Sequence, residues 1–470
     1  MSKISAMMDV GKRSLSNSQT ALQTVAHNIA NKSTEGYSRQ RVELMTNQPI
    51  TNGNLQIGMG AKAGVITRTN NPWLEKQLQR ENTGMGYADS KADALARVEQ
   101  VYNEQVNKGL NQYMTDFFNG FRELSNNPES LASRTVVRES AVALANDFKR
   151  VTEQLQDVQN DLDGQIMTTV EEVNQMSKEV ADLNEKIQLI EVQGVPSNDE
   201  RDRRDLLLKR IGERIEVSWA EGKDGMVTVS AGGTGILVSG TTVNPLKAVR
   251  TDENDRVEIM YRSTDNGSWF NMTGQIKGGR VGGAIDIRDN VVQDLLGHVD
   301  NMAYTLAKEV NRAHIEGYDK LGKPGVLFFE MPDAKEGAAG ILKVNNTILN
   351  DVGRIAAGSS PNAPGDNTVS NLISALQYRN VMDDGRATFD DYYNTQVGQI
   401  GTIAQRAVKT QESQKNIVSQ LTNIRESISG VSLDEETTKM IEFQKAYDAS
   451  ARVIKTADEM FDTILNLKRL

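Results

Sequence analysis

NIANKSTEGYSRQ, residues 28–40, closes a helical pattern with polar residues and a glycine only forty residues into a long chain. Gly36 suits the left-handed conformation that ends a helix or opens a turn, and Asn28 and Asn31, one turn apart, are placed to bond carbonyls freed near the helix end. Tyr37 and Arg39 follow in an extended segment, the first as an amphipathic anchor, the second as a fork of donors for a carboxylate. The helix that stops here has nothing adjacent to bury it. Its apolar and small residues Ile4, Met8, Gly11, Leu15, Ser18, Leu22, Val25 and Ile29 are spaced alternately by four and three, the seam of a coiled coil. Gly11 and Ser18 make that seam weak, and an isolated helix of this length is marginal in water. It wants a partner.

The far end of the chain repeats the pattern in Met440, Phe443, Tyr447, Ser450, Ile454, Ala457, Phe461 and Ile464. Either each terminus is a surface helix of an ordinary domain, or the two pair with each other and with neighbouring subunits. A longer seam runs through Phe148, Val151, Leu155, Val158, Leu162, Ile166, Thr169, Val173, Met176, Val180, Leu183, Ile187 and Ile190, with one extra residue intruding at 158–162–166. A continuous helix over 148–190 is a rod of roughly 60 Å. A second helical region is expected over about 366–429, its apolar side marked by Ile400, Ile403, Ala407, Thr410, Ile417, Leu421, Ile424 and Ile428.

Between 215 and 285 the pattern changes. IEVSWAE, GMVTVSA, GILVSG and RVEIMYR alternate or concentrate β-branched residues, separated by the turn clusters EGKDG, AGGTG, TDEND and STDNG. The stretch 317–364, with YDKLGKPGVLFF and GSSPNAPGD, reads as loop-rich with a short β element. The expected fold is mainly α with a β insert: terminal coiled-coil helices, a long antiparallel helical bundle and a small antiparallel β domain. The expected divisions are 1–60 with 430–470 for the terminal helices, 61–214 with 285–429 for the helical middle, and 215–284 for the β insert.

A chain of 470 residues exceeds one compact core. With 53 Lys and Arg against 63 Asp and Glu, and no basic block interleaved with aromatics, nucleic acid is not an expected partner. Absence of cysteine excludes disulfides, thiolate metal sites and cysteine nucleophiles. The three histidines, His27, His298 and His314, stand far apart and in no metal-binding spacing. AGGTGILVSG and KGGRVGGA lack the order of a phosphate loop and read as turns. SNDERDRRD, DENDRVE and MDDGRATFDDYY are rich enough in carboxylates for a metal site or an acid pair, but they match no EF-hand, and mixed-sign charges on helices are usually solvated faces. No serine sits in a nucleophile elbow. No catalytic residue, cofactor or metal is expected. The residues MSKISAMMDVGKRSLSNSQ do not read as a cleaved secretory signal, and no apolar stretch is long enough to cross a bilayer. These rules alone would place the chain in the cytoplasm, with no membrane partner.

The segment LQTVAHNIANKSTEGYSRQRVEL (22–44) resembles the N-terminal signature of the bacterial flagellar axial proteins, the rod, hook and hook-associated family, and SGVSLDEETTKMIEFQKAYDASARVIKTADEMFDTILNL (429–467) resembles its C-terminal partner motif. GYSRQ, with Ser38 where rod and hook proteins more often carry Lys, and SGVSLDEE point to the hook-associated branch. RDRRDLLLKRIGERIEV, GGRVGGAIDIRDN and HIEGYDKLGKPGVLFF resemble its central region. Coverage is weakest over the β region, and a large outer domain of longer relatives is expected to be absent. The resemblance implies a structural subunit joining hook to filament by axial self-assembly, its terminal helices lining an inner tube and ordering only on assembly. Implied partners are other copies of the chain, the hook protein, a second junction protein, and an export chaperone on residues 433–467. Implied localisation is outside the cell, on the flagellum, after type III export. Residues expected to pack between subunits are Leu15, Leu22, Val25, Asn28, Ile29, Asn31, Gly36, Tyr37, Arg39, Met440, Phe443, Tyr447, Ile454, Phe461 and Ile464. Three alternatives stay open: a hook or distal rod protein, disfavoured by the 148–190 seam; a secreted wall hydrolase carried on the flagellum; and a freestanding coiled-coil scaffold.

Overall fold

The computed structural model describes residues 2–467 apart from 53–54, 103–107, 252–254 and 264–266. Helix α1 (Ser2–Ala30) ends where the opening motif begins, and Gly36 takes φ +82° at the turn. The chain then forms a long hairpin. Strand β1 (Gln40–Thr46) pairs antiparallel with β4 (Ala61–Arg68), and β2 (Ile50–Asn52) with β3 (Leu55–Ile57) at the tip. The ladder from Gln40↔Arg68 to Thr46↔Ala61 crosses the division expected at residue 60. Residues 61–68 therefore belong with the terminal segment, because their backbone partners lie there.

Helices α2 (Pro72–Val101), α3 (Leu110–Asn126), α4 (Leu131–Glu191) and α5 (Asn198–Arg214) follow. The Ser130 hydroxyl accepts the Ser133 N–H at the start of α4, whose 61 residues span roughly 90 Å. Its buried stripe follows the expected seam to Ile166 and differs from it beyond there at Thr169, Met176 and Ile190. Val173, Val180, Leu183 and Ile187 are buried as expected, while Val170 and Ser177 are buried and Thr169 and Met176 only half-buried, so the stripe is wider than a two-position seam.

Among the described residues of 215–271, seven short strands form two antiparallel sheets. Strands β5 (Val217–Glu221), β6 (Val227–Ala231), β7 (Gly235–Ser239) and β8 (Thr242–Val243) lie in sequence order; β9 (Lys247–Thr251), β10 (Arg256–Tyr261) and β11 (Phe270–Asn271) have β10 at the centre. The turn clusters TDEND and STDNG fall partly outside the described residues. The sheets have no core of their own: Val227, Val229, Leu237, Val238, Val257 and Ile259 join one apolar cluster with Leu155, Leu162 and Val173 of α4. Asn184 on α4, fully buried, accepts the Val227 N–H and donates to the Val227 and Gly240 carbonyls, doing for the sheet what a neighbouring strand would do. The expected β insert is thus a layer laid on the rod.

The chain returns through α6 (Gly279–Asp286), a π-turn (Ile287–Val292) and α7 (Gln293–Ile315). In the π-turn Arg288, 2% exposed, reaches Asp163 of α4 and the Val257 carbonyl of β10. The region 317–364 holds two short helices, α8 (Ala338–Ile341) and α9 (Asn346–Asn350), and among the described residues its β structure is limited to isolated bridges such as Phe329↔Val344. Buried side chains hold it. Asn311 accepts the N–H groups of Phe328 and Phe329, and Asp300 those of Gly337 and Ala339. Phe328 packs edge-on against Phe117 and tilted against Phe121 of α3, and Phe329 packs tilted against Phe117.

The helix expected over 366–429 is broken. Helix α10 (Thr368–Ala375) is followed by a turn in which Asp383, Asp384 and Gly385 all have positive φ, and only then does α11 (Phe389–Ser429) start, capped by Thr388. Three successive left-handed residues cannot continue a right-handed helix. The apolar side expected for α11 also divides. Ile400, Ala407 and Leu421 are buried, whereas Ile403, Ile417, Ile424 and Ile428 are exposed. Helix α12 (Leu433–Leu467) ends the described chain.

Candidate functional site

Helices α1 and α12 lie antiparallel against each other, and neither contributes to the main apolar core. The closest approach is at Gly11, where a Cβ would stand 2.7 Å from Ile454 Cγ1, so the glycine makes the hollow that receives the isoleucine. Ser14 and Ser450 hydroxyls meet at 2.7 Å. Gly11, Ser18, Ala21 and Val25 are buried on α1, and Ser450 and Ala457 on α12. The contact within one chain thus uses mostly small residues. The larger expected packing residues Leu15, Leu22 and Ile29 on α1, and Met440, Phe443, Tyr447, Ile454 and Phe461 on α12, are half-buried, and Ile464 is exposed.

At the lower end of this pair the opening motif forms a closed polar knot. Asn28, 1% exposed, accepts the Tyr37 hydroxyl at 2.8 Å and the Gln40 N–H at 2.9 Å. Its amide donates to the Gln40 carbonyl and to Glu436 Oε2, both at 2.9 Å. All four of its hydrogen-bonding positions are filled. Asn28 therefore ties α1, β1 and α12 together, and the expectation that it bonds freed carbonyls of its own helix is corrected. Its geometry points away from that helix end. Asn31 takes the local role alone, donating to the His27 carbonyl at 3.1 Å. Burial, with the charges of Asp199, Asp202 and Glu436, raises the Tyr37 phenol well above its ordinary range, so it stays a donor. Arg39 reaches Glu435 of α12 at 2.6 Å through a single nitrogen, so the expected fork makes a one-pronged contact.

The same motif is fastened to the body by residues that the sequence reading left unassigned. The Ser38 N–H donates to Asp202 at 2.7 Å, and Gln40 Nε2 to Asp199 at 2.6 Å. Arg68, at the base of the hairpin, pairs with Asp202 at 2.8 Å and Asp205 at 2.7 Å, and Asn198 donates to the Ile66 carbonyl. Burial pushes the Asp202 carboxyl up while Arg68 pulls it down. On the other side, Arg425 of α11 donates to the Gly36 carbonyl and pairs with Glu75 of α2. Arg201 of α5 grips Glu191 and Glu221, and buried Arg204 donates to the Gly225 carbonyl. In SNDERDRRD, Asp199, Asp202 and Asp205 hold the terminal segment and Arg201 and Arg204 hold the sheet, while Arg203 stays largely exposed. The signal available in sequence was the spacing of three in Asp199, Asp202 and Asp205 and again in Arg201 and Arg204, which sets those two groups on different sides of the helix. Among the described residues no group of His, Asp and Glu is arranged to hold a metal, and no helix is long and apolar enough to cross a membrane.

Comparison with known proteins fits this arrangement. Residues 95–329 match the model of the flagellar hook-associated protein FlgK helical domain, and residues 425–467 that of the flagellar basal body rod FlgEFG protein C-terminal region. The flagellar hook-associated protein 1 of Bacillus subtilis is 32% identical over 98% of this chain and 97% of its own length. That of Escherichia coli is 24% identical over 99% and 100%. The flagellar hook junction protein FlgK from Burkholderia pseudomallei shares the fold, with a TM-score of 0.69 and 14% identity over 75% of this chain and all of that one. A model spanning the helical body, a second on the terminal helix, and a relative this similar from end to end show that the chain belongs to the flagellar hook-associated protein 1 family.

Proposed function

We propose that the chain is a structural subunit of the bacterial flagellum, set at the junction of hook and filament and assembled axially through its terminal helices. The observation that carries this reading is the pairing of the two chain ends outside the body core, with small residues turned to each other and large apolar ones left half-open. In an isolated protein such a pair wastes its best packing residues; in a stack they meet those of neighbouring copies. The partners are then other copies of the chain, the hook protein and a second junction protein. Before assembly the apolar stripe of α12 needs cover, which fits an export chaperone on Leu433–Leu467, and a place on the flagellum fits passage through the flagellar type III apparatus. The weak α1–α12 contact fits terminal segments that gain most of their order in the polymer.

Mixing the purified protein with isolated hooks and imaging their distal tips by electron microscopy tests the reading. Added density confined to the tip is expected. No binding under conditions that assemble other axial proteins would overturn it. Circular dichroism of the dilute chain, compared with a chain lacking 1–60 and 430–470, tests the ordering step: fully helical ends in the monomer would contradict it.

A further inference from the structure

The terminal unit, made of α1, the hairpin and α12, rests on the body along a narrow polar line. Among the described residues none of its apolar side chains, buried or half-buried, joins either apolar cluster of the body. Asn198, Asp199, Asp202 and Asp205 of α5 hold Ile66, Gln40, Ser38 and Arg68, and these four span two helical turns, roughly 10 Å. The chain crosses between unit and body twice, at 69–71 and at 430–432. Both crossings meet at one residue: the Arg39 N–H donates to the Ser429 carbonyl and the Arg39 carbonyl accepts the Thr69 N–H, each at 2.8 Å. Two covalent links set side by side leave a line about which the unit can turn, whereas links set far apart would hold it.

Open space lies at both ends of this fulcrum. Toward the C-terminal half of α5 a cleft of 780 Å³ is walled by residues 32–37 of the terminal unit and by Leu206, Lys209, Thr422 and Glu426 of the body. At the N-terminal end of α5 a second cleft, of 410 Å³, lies between Thr20, Val42 and Val65 and the turn Gly194–Pro196. The links that reach over the first, Arg210 to Glu35 and Arg425 to the Gly36 carbonyl, run through long side chains that can follow a moving partner by changing rotamer. A small polar interface between two separately packed parts permits relative motion, and residues at element ends absorb the backbone change. We propose that the terminal unit rocks on α5 about the Ser429–Arg39–Thr69 line, opening one cleft as it closes the other. This rests on the junction reading above: the terminal helices keep their place in the stack while each body follows the copies around it.

The absence of cysteine allows paired spin labels at chosen sites. Thr34→Cys with Glu426→Cys spans the wider cleft, Thr20→Cys with Val195→Cys the narrower, and Glu171→Cys with Lys409→Cys, both in the body, gives a reference. All six positions are exposed or half-buried. Each doubly labelled full-length chain is diluted into unsubstituted chain, assembled on isolated hooks and measured by pulsed electron resonance. Distance distributions across both clefts are expected to be at least twice as wide as the reference. Widths equal to the reference, with tip density formed, would overturn the rocking joint while leaving the junction reading intact. Widening across one cleft alone would overturn it as well, since a unit that rocks on α5 changes both. Failure of the unsubstituted chain to form tip density would remove both readings.

Discussion

Asn28 shows how far a single side chain can reach and how little of that reach the sequence displays. It was placed as a local helix-end residue, yet its partners lie on β1 and, 408 positions away, on α12. Residue type and spacing identify a donor and acceptor near a helix end; they carry no information on which distant element will pass by. Asn28→Ala would leave the Tyr37 hydroxyl, the Gln40 N–H and buried Glu436 without that partner. Removing one partner from a buried network costs about 1–3 kcal/mol. Faster amide exchange at 36–40 and in the first turns of α12 is therefore expected, with α4 unaffected. His314 is the residue-scale opposite, lying within the body and fully buried. Its Nδ1–H donates to the Val326 carbonyl and its Nε2 accepts the Ala356 N–H, so a second proton would face a donor. Burial, the largest cause, depresses its pKa to about 4 from the ordinary 6.5. Between those values the unfolded chain binds a proton that the folded chain does not, so this contribution is complete above pH 6.5 and shrinks as pH falls. A loss of about 2 kcal/mol by pH 5 is expected from this group. Urea unfolding at pH 7 and pH 5 checks it: His314→Gln should lose markedly less between the two than the unsubstituted chain.

At the scale of elements, periodicity identified the helices that bury a continuous stripe and lost those shaped by side chains from elsewhere. Helix α4 was marked from Phe148 onward by its regular apolar steps, but its first seventeen residues pack on α3 through a stripe that was not followed back to Leu131. The break before α11 was missed because DDG was read as carboxylates when its import was backbone conformation. The sheets were found, but their lack of a separate core was not, since alternation marks the buried face of a strand without saying what buries it. Residues 317–364 have no periodicity to find, because Asn311, Asp300 and His314 supply the bonds that strand partners would otherwise make. Helix α5 is the clearest case of an element whose role depends on its neighbours. Its acids are the main polar fastening of the hairpin base, so Asp202→Ala should release the Ser38 N–H and leave Arg68 with Asp205 alone. Hydrogen exchange should rise about tenfold at 36–40 and along β1, which corresponds to roughly 1.4 kcal/mol of local opening. Unchanged exchange there would show that the covalent connections alone set the joint.

For the whole molecule, the decisive fact is that the body and the terminal pair are cohesive for different reasons. One apolar cluster runs from Ala92 to Ala407 and includes both sheets, α3, α4, α7 and part of α11. The terminal pair relies on a glycine hollow, a pair of serines and the Asn28 knot, and it meets the body through ion pairs and backbone bonds. Damage to one should therefore not spread to the other. Ile454→Asp replaces the half-buried side chain that fills the hollow at Gly11 with a carboxylate that loses part of its hydration there. The helix pair should open, while the body retains its cooperative unfolding transition within about 1 kcal/mol, since no residue of α1 or α12 contributes to its core. Assembly on hook tips should be abolished, and cells carrying the variant should be non-motile. Normal motility would show that the terminal helices do not carry assembly; a variant whose body also fails to fold would show that the two parts are energetically one.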